Sequence, residues 1–421
     1  MRLVDKLAVV LVCTLLVVGG TAYYFFGRAP GEQRAPLARA DDSGSSHEGL
    51  ANLTDATNLF ALEMYANLSA SGGNVFFSPY SMEAAFAMLY EGARGKTADE
   101  IRSVFHFTKD DQLRRSSFAA FYNAYNPESL EYRLSTANAV WVQKNYTVLA
   151  EYLDVLTRYY MASAQNVDFV CATEQARKTI NDWVAAHTGG KITELFPEGS
   201  IDDGTVLALT NAIYFKGTWV TKFDSSRTET ADFHLDPNRT VRVRMMETPT
   251  NGDIKFKYAN ARTDGLEILK MPYNGNRLSM LILLPKGYST AGLETMLSQA
   301  NLTRWRSLLR SEEIEVLMPK FEFRCTYDLK ETLSRMGMPS AFEAADLSGI
   351  DGGNELFVQT AVHQAYIKVN EEGTEAAAAT GGAVAGGIPP LFNANHPFVF
   401  LIQDDKTGNI LFMGKVVDPT K

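Results

Sequence analysis

The chain has 421 residues, of which 46% are hydrophobic and 21% charged, an ordinary globular composition with enough apolar material for a large core. Its formal net charge of −9 argues against a nucleic-acid-binding protein, which needs a basic face. No Pro/Ser-rich linker interrupts the sequence after about residue 48, which favours one large domain over several.

The first 22 residues resemble a secretory signal peptide, with a charged start, an apolar middle and small residues at Gly20 and Ala22 for cleavage. The apolar run continues to Phe26, however, and its length of about 20 residues would span a bilayer. An uncleaved signal anchor is therefore the alternative to cleavage near Ala22. We expect a secreted, extracellular protein, with a membrane-anchored form as the alternative.

Residues 23–47 are rich in Ala, Arg, Pro, Gly and Ser without an apolar period, which predicts a polar spacer. Export is also consistent with five Asn-X-Ser/Thr sequons, and we expect glycosylation at some of them without assigning which. The five candidates are Asn52, Asn67, Asn145, Asn238 and Asn301.

The first part of the main domain is predicted to be mostly helical. Helical periodicity begins near Leu50 and continues to Leu68. A second helix is predicted with Ser81 as its N-cap and its end at Gly92, and a third with Thr97 as its N-cap. The run DDQLRRSSFAAFYNAY predicts a fourth.

Strands dominate the later part of the sequence. The nearly all-apolar run GTVLALTNAIYF predicts a strand buried on both faces, in the centre of a sheet. Further strands are predicted at STANAVWVQ, EILKMPY, RLSMLILLP, IEVLMPKFEFR and AYIKVN, and a hairpin closes the chain. Helices mostly first and strands mostly last indicate a mixed α+β fold with large sheets.

No arrangement of residues predicts an enzyme. The nearest nucleophile-elbow pattern surrounds Ser289 and lacks the final Gly. The six histidines are scattered, so neither a metal site nor a cofactor is predicted. Cys171 and Cys325 match no disulfide or metal spacing, which predicts two separate buried thiols.

The segment 371–390, EEGTEAAAATGGAVAGGIPP, is unlike the rest of the chain. From Gly373 to Ile388 only three residues are not Gly, Ala or Thr, which on composition alone is typical of a flexible surface linker. Side chains alternate in a strand, so Thr374 and the small residues in step with it would share one face, and Glu375 would take the other. Such a loop could become a central strand, as a loop-insertion switch requires.

The run VNEEGTEAAAATG at 369–381 resembles the hinge of the inhibitory serpins, the loop-inserting serine protease inhibitors. Five distant blocks agree with that family in order, and the resemblance covers about residues 48–421. The blocks are NVFFSPYS at 74–81, LTNAIYFKGTW at 209–219, LMPKFEF at 317–323, TYDLKETLSRMGM at 326–338 and HPFVFLIQDDKTGNILFMGKVVDP at 396–419.

The resemblance implies a single α+β domain over 48–421, with about nine helices, three β-sheets and a mobile reactive-centre loop at 371–392. It implies a covalent complex with an extracellular serine protease, which cleaves the loop and is trapped when the hinge inserts into the main sheet. We expect a monomer without a cofactor. By position, the hinge residues are Gly373, Thr374, Glu375, Ala376, Ala377, Ala378, Ala379 and Thr380.

Other positions match family residues that control insertion. A polar cluster that gates opening of the sheet is matched by Ser78, Ser81, Asn211 and His363. Without the resemblance, His363 would be read as a core histidine with satisfied hydrogen bonds. The ion pair at the loop base and the aromatic residue where insertion starts are matched by Glu371, Lys320 and Trp219.

The scissile bond has two candidate positions, Gly386–Gly387 and Gly387–Ile388. No Arg or Lys lies between Gly373 and Asn395, so a trypsin-like target is disfavoured and a shallow, elastase-like pocket is favoured. Glycine offers no side chain for specificity, and this departs from the common family pattern. A non-inhibitory serpin acting as a carrier, chaperone or binding protein is therefore the alternative.

Arg114 and Arg115 lie on the fourth predicted helix, where some serpins bind glycosaminoglycans. Two arginines beside Asp110 and Asp111 are a weak signal for such a site. The preferred interpretation is a solvated helix face, so no glycosaminoglycan partner is expected.

Overall fold

A computed structural model describes residues 39–126, 132–249, 254–374 and 390–421. Nine helices of six or more residues occur in these ranges, together with two four-residue helices. The helices are α1 (His47–Ser69), α2 (Pro79–Gly92), α3 (Gly95–Val104), α4 (Asp111–Tyr125), α5 (Ala150–Val155, continued by a π-helical turn Leu156–Tyr160), α6 (Thr173–His187), α7 (Ala291–Met296), α8 (Gln299–Leu308), α9 (Leu329–Met336), α10 (Ser340–Glu343) and α11 (Ser348–Asp351).

The strands of the described residues form three sheets, which confirms the predicted mixed α+β architecture. The main sheet contains β2 (Tyr132–Gln143), β3 (Ser163–Val167), β4 (Leu207–Thr218), β12 (Phe321–Asp328), β13 (Thr360–Val369) and β14 (Gly373–Thr374). A seven-stranded sheet contains β1 (Val75–Phe77), β7 (Lys255–Ala261), β8 (Leu266–Pro272), β9 (Leu278–Pro285), β10 (Arg310–Glu313), β16 (Phe398–Asp404) and β17 (Ile410–Val416). A four-stranded sheet contains β5 (Asp224–Asp236), β6 (Arg239–Glu247), β11 (Glu315–Pro319) and β15 (Leu391–Asn393).

The run GTVLALTNAIYF forms β4, the central strand of the main sheet, as predicted. The strand order is β12-β13-β4-β2-β3, with β14 paired to the end of β4. On one face of β4, Leu209 and Ile213 join the large core of the domain. On the other face, Ala208 and Ala212 join a smaller core under α6. Their small side chains allow this helix to lie close against the sheet, which explains why β4 is apolar on both faces.

Two helix starts differ from the predictions. Ser78, and not Ser81, caps α2, because the Ser78 hydroxyl accepts the Ser81 backbone N–H at 3.1 Å and Pro79 suits the first helical position. Helix α3 begins before Thr97, whose hydroxyl instead accepts the backbone N–H of Asp346 at 2.9 Å. In both cases the serine or threonine is buried inside the first turns of the helix, where its hydroxyl bonds to a residue distant in sequence.

The interpretation of Arg114 as part of a solvated helix face is wrong. Its side chain is only 2% exposed and pairs with Glu91 at 2.9 Å and with Asp111 at 2.8 Å. Arg115 also contacts Glu91, at 2.6 Å. The spacing of Arg114 from Phe118, Phe121 and Tyr125 places it on the buried stripe of α4, and the missing partner, Glu91, lies on α2.

Cys171 and Cys325 are separate thiols, as predicted, but Cys171 is exposed and so the prediction that both are buried is wrong. Residues near the end of the predicted spacer contact the domain, since Ala40 is buried and Asp41 pairs with Arg158 at 2.6 Å. Among the described residues, no helix combines the length and apolar character needed to cross a bilayer.

Candidate functional site

The predicted sheet-opening cluster lies at the boundary between β4 and β13. These two strands pair in parallel from Ala208 opposite Thr360 to Tyr214 opposite Tyr366. We call this boundary the seam. A new central strand could enter the main sheet here only by separating the pair, so the contacts along the seam decide how easily the sheet opens.

The structure brings the four predicted cluster residues together at the middle of the seam. Asn211 and His363 are register partners, and the His363 Nδ1 contacts the Asn211 side-chain oxygen. The Asn211 amide donates to the Ser81 hydroxyl at 2.8 Å, and the Ser78 backbone N–H donates to His363 Nε2 at 3.1 Å. Since Ser78 and Ser81 belong to the start of α2, the cluster joins this helix to both strands of the seam.

Burial lowers the pKa of His363 to about 3, although its contact with Asn211 opposes the shift. The ring is therefore neutral at physiological pH. Nε2 accepts from Ser78, so the proton is on Nδ1, which donates to Asn211. The expected core histidine and the expected gating residue are thus the same side chain, in one fixed tautomer.

Sequence reasoning missed Asn138 of β2, which extends the cluster across the sheet. The Asn211 amide donates to the Asn138 side-chain oxygen at 2.7 Å, and the two residues are register partners. Only the pairing register of β2 with β4 brings them together, and no local pattern in STANAVWVQ indicates it.

At the end of β4, Trp219 lies where the resemblance placed the start of insertion. Its ring stacks on Tyr273, with centroids 4.4 Å apart. Its indole N–H donates to the Asn370 carbonyl at 3.1 Å, and its backbone N–H donates to the Glu372 carbonyl at 2.8 Å. Trp219 therefore fixes the base of the reactive loop. The sequence did not indicate Tyr273, because it follows β8 of the seven-stranded sheet and only the tertiary structure brings it to Trp219.

The predicted loop-base pair is formed, with Lys320 Nζ 2.9 Å from the Glu371 carboxylate. Partial burial raises the pKa of Glu371, but hydrogen bonds from Lys320 and from the Thr228 hydroxyl outweigh this effect and lower it overall. A second pair, Lys222 with Glu372 at 2.6 Å, was not anticipated. Both acids at the start of the loop are thus tied to the body of the protein.

Two residues of the predicted hinge already lie in the main sheet. Gly373 and Thr374 form β14 and pair antiparallel with Thr218 and Gly217 of β4. Thr374 is 1% exposed, and its hydroxyl lies 3.0 Å from the Tyr273 hydroxyl. The remaining hinge residues, Glu375 to Thr380, and both candidate scissile bonds, at Gly386, Gly387 and Ile388, lie outside the described residues.

Close packing makes glycine necessary at position 373. Its φ is +149°, and an added Cβ would lie 2.7 Å from the Thr218 Cα and collide with the Gly217 carbonyl oxygen. The docked hinge therefore depends on a residue without a side chain, followed by one whose small polar side chain fits beneath Tyr273.

Among the sequons, Asn52, Asn67, Asn145 and Asn238 are exposed. Asn301 is half-buried, and its amide donates to the Met296 carbonyl at 2.6 Å. Within the described residues, no three His, Cys, Asp or Glu side chains are grouped as a metal ion would require.

A family model described as "Serpin (serine protease inhibitor)" matches residues 55–419. The chain belongs to the serpin family. Mouse leukocyte elastase inhibitor A is 39% identical over 381 residues, which are 87% of this serpin and 99% of the relative. The family description and the name of this relative both refer to protease inhibition, so this serpin is classed with protease inhibitors and not with enzymes.

Comparison with solved structures also identifies serpins as similar proteins. Uncleaved ovalbumin has a TM-score of 0.82 and 30% identity, covering 87% of this serpin and all of that chain. Human thyroxine-binding globulin in complex with thyroxine has a TM-score of 0.81 and 30% identity, covering 89% of this serpin and all of that chain. These likenesses confirm the serpin fold and the family that the sequence motifs indicated.

Proposed function

We propose that this serpin is a secreted inhibitor that traps an extracellular serine protease of small-residue specificity by inserting its cleaved loop into the seam. The observation that carries the proposal is the docked hinge, because Gly373 and Thr374 already pair with β4 in the orientation that an inserted strand needs. Continuing this register would place Glu375 opposite the exposed Lys216, with only small residues on the inward face.

The chemistry begins with attack of the protease serine on the carbonyl carbon before the scissile bond. The C–N bond breaks, the new amino terminus leaves with the C-terminal fragment, and an acyl ester joins the protease to the loop. The two sides of the cut are held in different sheets. The hinge side is anchored at β14 on β4, whereas the other side begins at β15, which pairs in parallel with β11.

Once cut, the hinge side is free to enter the seam and carry the protease with it. About fourteen residues in strand conformation span roughly 46 Å. A misplacement of about 1 Å can cost roughly a hundredfold in rate, so a distorted protease site would stall deacylation and leave the ester intact. The uncleaved form is then a kinetically trapped state above the inserted one.

The target and compartment are part of the proposal. Both candidate bonds have Gly before the cut, which suits a shallow pocket of elastase type, and the relative named leukocyte elastase inhibitor A is consistent with that class. The apolar leader and the exposed sequons support secretion of a glycoprotein, with a signal anchor as the alternative, and we expect the secreted form to be a monomer. N-terminal sequencing of the mature protein distinguishes cleavage near Ala22 from an uncleaved anchor.

A non-inhibitory carrier or binding protein is the second candidate. The featureless Gly-Gly sequence at the expected cut favours it, and one similar structure is that of a thyroxine-binding globulin. A carrier would not gain thermal stability when its loop is nicked, whereas an inserting inhibitor would gain a large increase in melting temperature.

The direct test incubates the purified protein with elastase, chymotrypsin and trypsin, followed by denaturing gels and sequencing of the released peptide. We expect a detergent-stable complex with elastase and a peptide that starts at Gly387 or Ile388. Thr374→Arg should convert the inhibitor into a substrate, because its charge would be buried without a partner, while Thr374→Ser should still inhibit. Complete cleavage by every enzyme without a complex, or unchanged inhibition by Thr374→Arg, would contradict loop insertion.

A further inference from the structure

The ammonium group of Lys191 lies over the seam on the face of the main sheet that α6 covers. It is placed at Tyr214 and Tyr366, the last register pair of β4 and β13 before the docked hinge. The Lys191 Nζ is 5.9 Å from the centre of the Tyr214 ring and 5.8 Å from that of the Tyr366 ring. The two tyrosines face each other across the seam, with ring centroids 6.1 Å apart. One ammonium group is therefore shared by aromatic rings from the two strands that must separate.

The main chain at the same residue is tied to the far side of β13. The guanidinium of Arg324, on β12, donates to the Lys191 carbonyl oxygen at 2.6 Å. Arg324 also lies over the Tyr366 ring, 5.9 Å from its centre. We call the segment Thr188–Ile192, together with Arg324, the strap.

The next residue of the strap, Ile192, is anchored beneath α6. Ile192, buried completely, packs in the small core with Ala208 and Ala212 of β4. The Lys191 ammonium therefore lies over rings from both strands of the seam, while its carbonyl oxygen is held by β12, the strand beyond β13. Separating β4 from β13 moves the two rings apart, so Lys191 cannot stay over both of them, and its contacts oppose opening.

The surroundings favour strong contacts. Tyr214 and Tyr366 are 6% and 8% exposed, so the rings that face Lys191 are shielded from most of the solvent, where a cation–π contact is stronger than on an open surface. The Tyr366 hydroxyl donates to Glu322 at 2.6 Å, which fixes that ring on the sheet. Moving either ring would therefore disturb several contacts at once.

We propose that Lys191 and Arg324 are positioning residues that hold the seam closed at Tyr214 and Tyr366 and set the rate at which it opens. Their effect on inhibition rests on the proposed loop insertion, since a slower opening gives the protease more time to hydrolyse the ester. Their effect on the seam itself does not depend on loop insertion. The cation–π contacts of Lys191 and the hydrogen bond from Arg324 exist in the uncleaved protein and act on β4 and β13 directly.

The test measures amide hydrogen exchange in β4 and β13 of the uncleaved full-length protein, without protease. Lys191→Gln should speed exchange at the seam by about threefold to thirtyfold, the range expected for loss of a partly buried cation–π contact. Lys191→Arg keeps the cation and should restore slow exchange. Lys178→Gln, at an exposed position of α6, is the matched control and should change nothing at the seam.

Arg324→Gln provides a second variant, which removes the bond to the Lys191 carbonyl and should also speed exchange. Equal exchange at the seam in wild type, Lys191→Gln and Arg324→Gln would overturn the proposal. Faster exchange in both Lys191→Gln and Lys178→Gln would also overturn it, because the effect would then be one of net charge.

A separate measurement, the number of inhibitor molecules consumed per protease trapped, tests the link to inhibition. We expect that number to fall towards one in Lys191→Gln relative to wild type, because faster opening favours trapping over hydrolysis. If wild type traps no protease, the proposed function fails, whereas the exchange comparison still decides whether the strap holds the seam.

Discussion

The hinge end and the middle of the path that an inserting strand would follow are held in different ways. At the hinge end, β14 is already paired with Gly217 and Thr218, and ion pairs at Glu371 and Glu372 hold the loop base. At the middle of the seam, β4 and β13 pair directly, and a buried neutral network around His363 joins them to α2. At the hinge end, two residues of the loop have therefore already joined the sheet, whereas in the middle β4 and β13 leave no space for a strand between them.

This difference shows that docking the hinge and opening the seam are separate barriers. Docking depends on close packing at Gly373 and Thr374 and on partly exposed charges, which salt screens. Opening depends on buried hydrogen bonds that have no water to replace them until the strands part. Substitutions at the hinge end should leave the middle of the seam intact, and the reverse should also hold; the following predictions test that separation.

The largest effect is expected from Gly373→Ala. The added Cβ would overlap the backbone of Thr218, which we expect to cost about 3 kcal/mol against docking. Amide exchange at residues 373 and 374 should then rise about a hundredfold, with altered Trp219 fluorescence and unchanged exchange at His363. Gly287→Ala, where an added Cβ meets nothing within 4 Å, is the control. Retained protection of Thr374 would show that docking does not depend on this glycine.

An intermediate effect is expected from His363→Gln. At pH 8 the Ser78 N–H loses its acceptor, which should lower the free energy of unfolding by about 1–3 kcal/mol. The folded pKa of about 3 lies below the unfolded value, so only the unfolded state binds a proton between about pH 6.5 and pH 3. In wild type, the contribution of His363 to the free energy of unfolding is therefore complete above about pH 6.5 and is lost as the pH falls towards 3.

The pH dependence is measured as the difference between wild type and variant in denaturant unfolding. Between about pH 6.5 and pH 3, His363 should add a slope that approaches about 1.4 kcal/mol per pH unit to the free energy of unfolding. This slope should be absent from His363→Gln. His47→Gln, at an exposed position, should keep the wild-type slope. Identical slopes in wild type and His363→Gln would mean that the ring is not held neutral in the folded protein.

The smallest effect is expected at the loop-base pair. The Lys320 side chain is 38% exposed, so a double-mutant cycle of Lys320→Met with Glu371→Gln should give a coupling energy of about 1 kcal/mol or less. Because the pKa of Glu371 is lowered, this contribution is present above the ordinary carboxyl pKa and is lost as the pH falls. It should also shrink at high salt. A coupling energy of several kcal/mol, independent of salt, would show that the pair is shielded from solvent and controls docking.

The sequence by itself determined the fold class, the central position of β4 and the special character of the segment 371–390. These features depend on hydrophobic periodicity and on residue size, which are local properties of the chain. The motifs also identified His363 and Asn211 as members of one cluster, through resemblance to a family. Their polarity within otherwise apolar strands is itself a local signal.

Only the tertiary structure decided which distant side chains meet. Arg114 is buried because Glu91 lies opposite it on α2, and Asn138 joins the cluster because β2 pairs with β4 in one register. Tyr273 meets Thr374, and Lys191 meets the two tyrosines of the seam, only when separate elements are assembled. A local pattern specifies which face of a helix or strand is buried, whereas the partner on that face is set by strand register and helix packing, which are long-range properties.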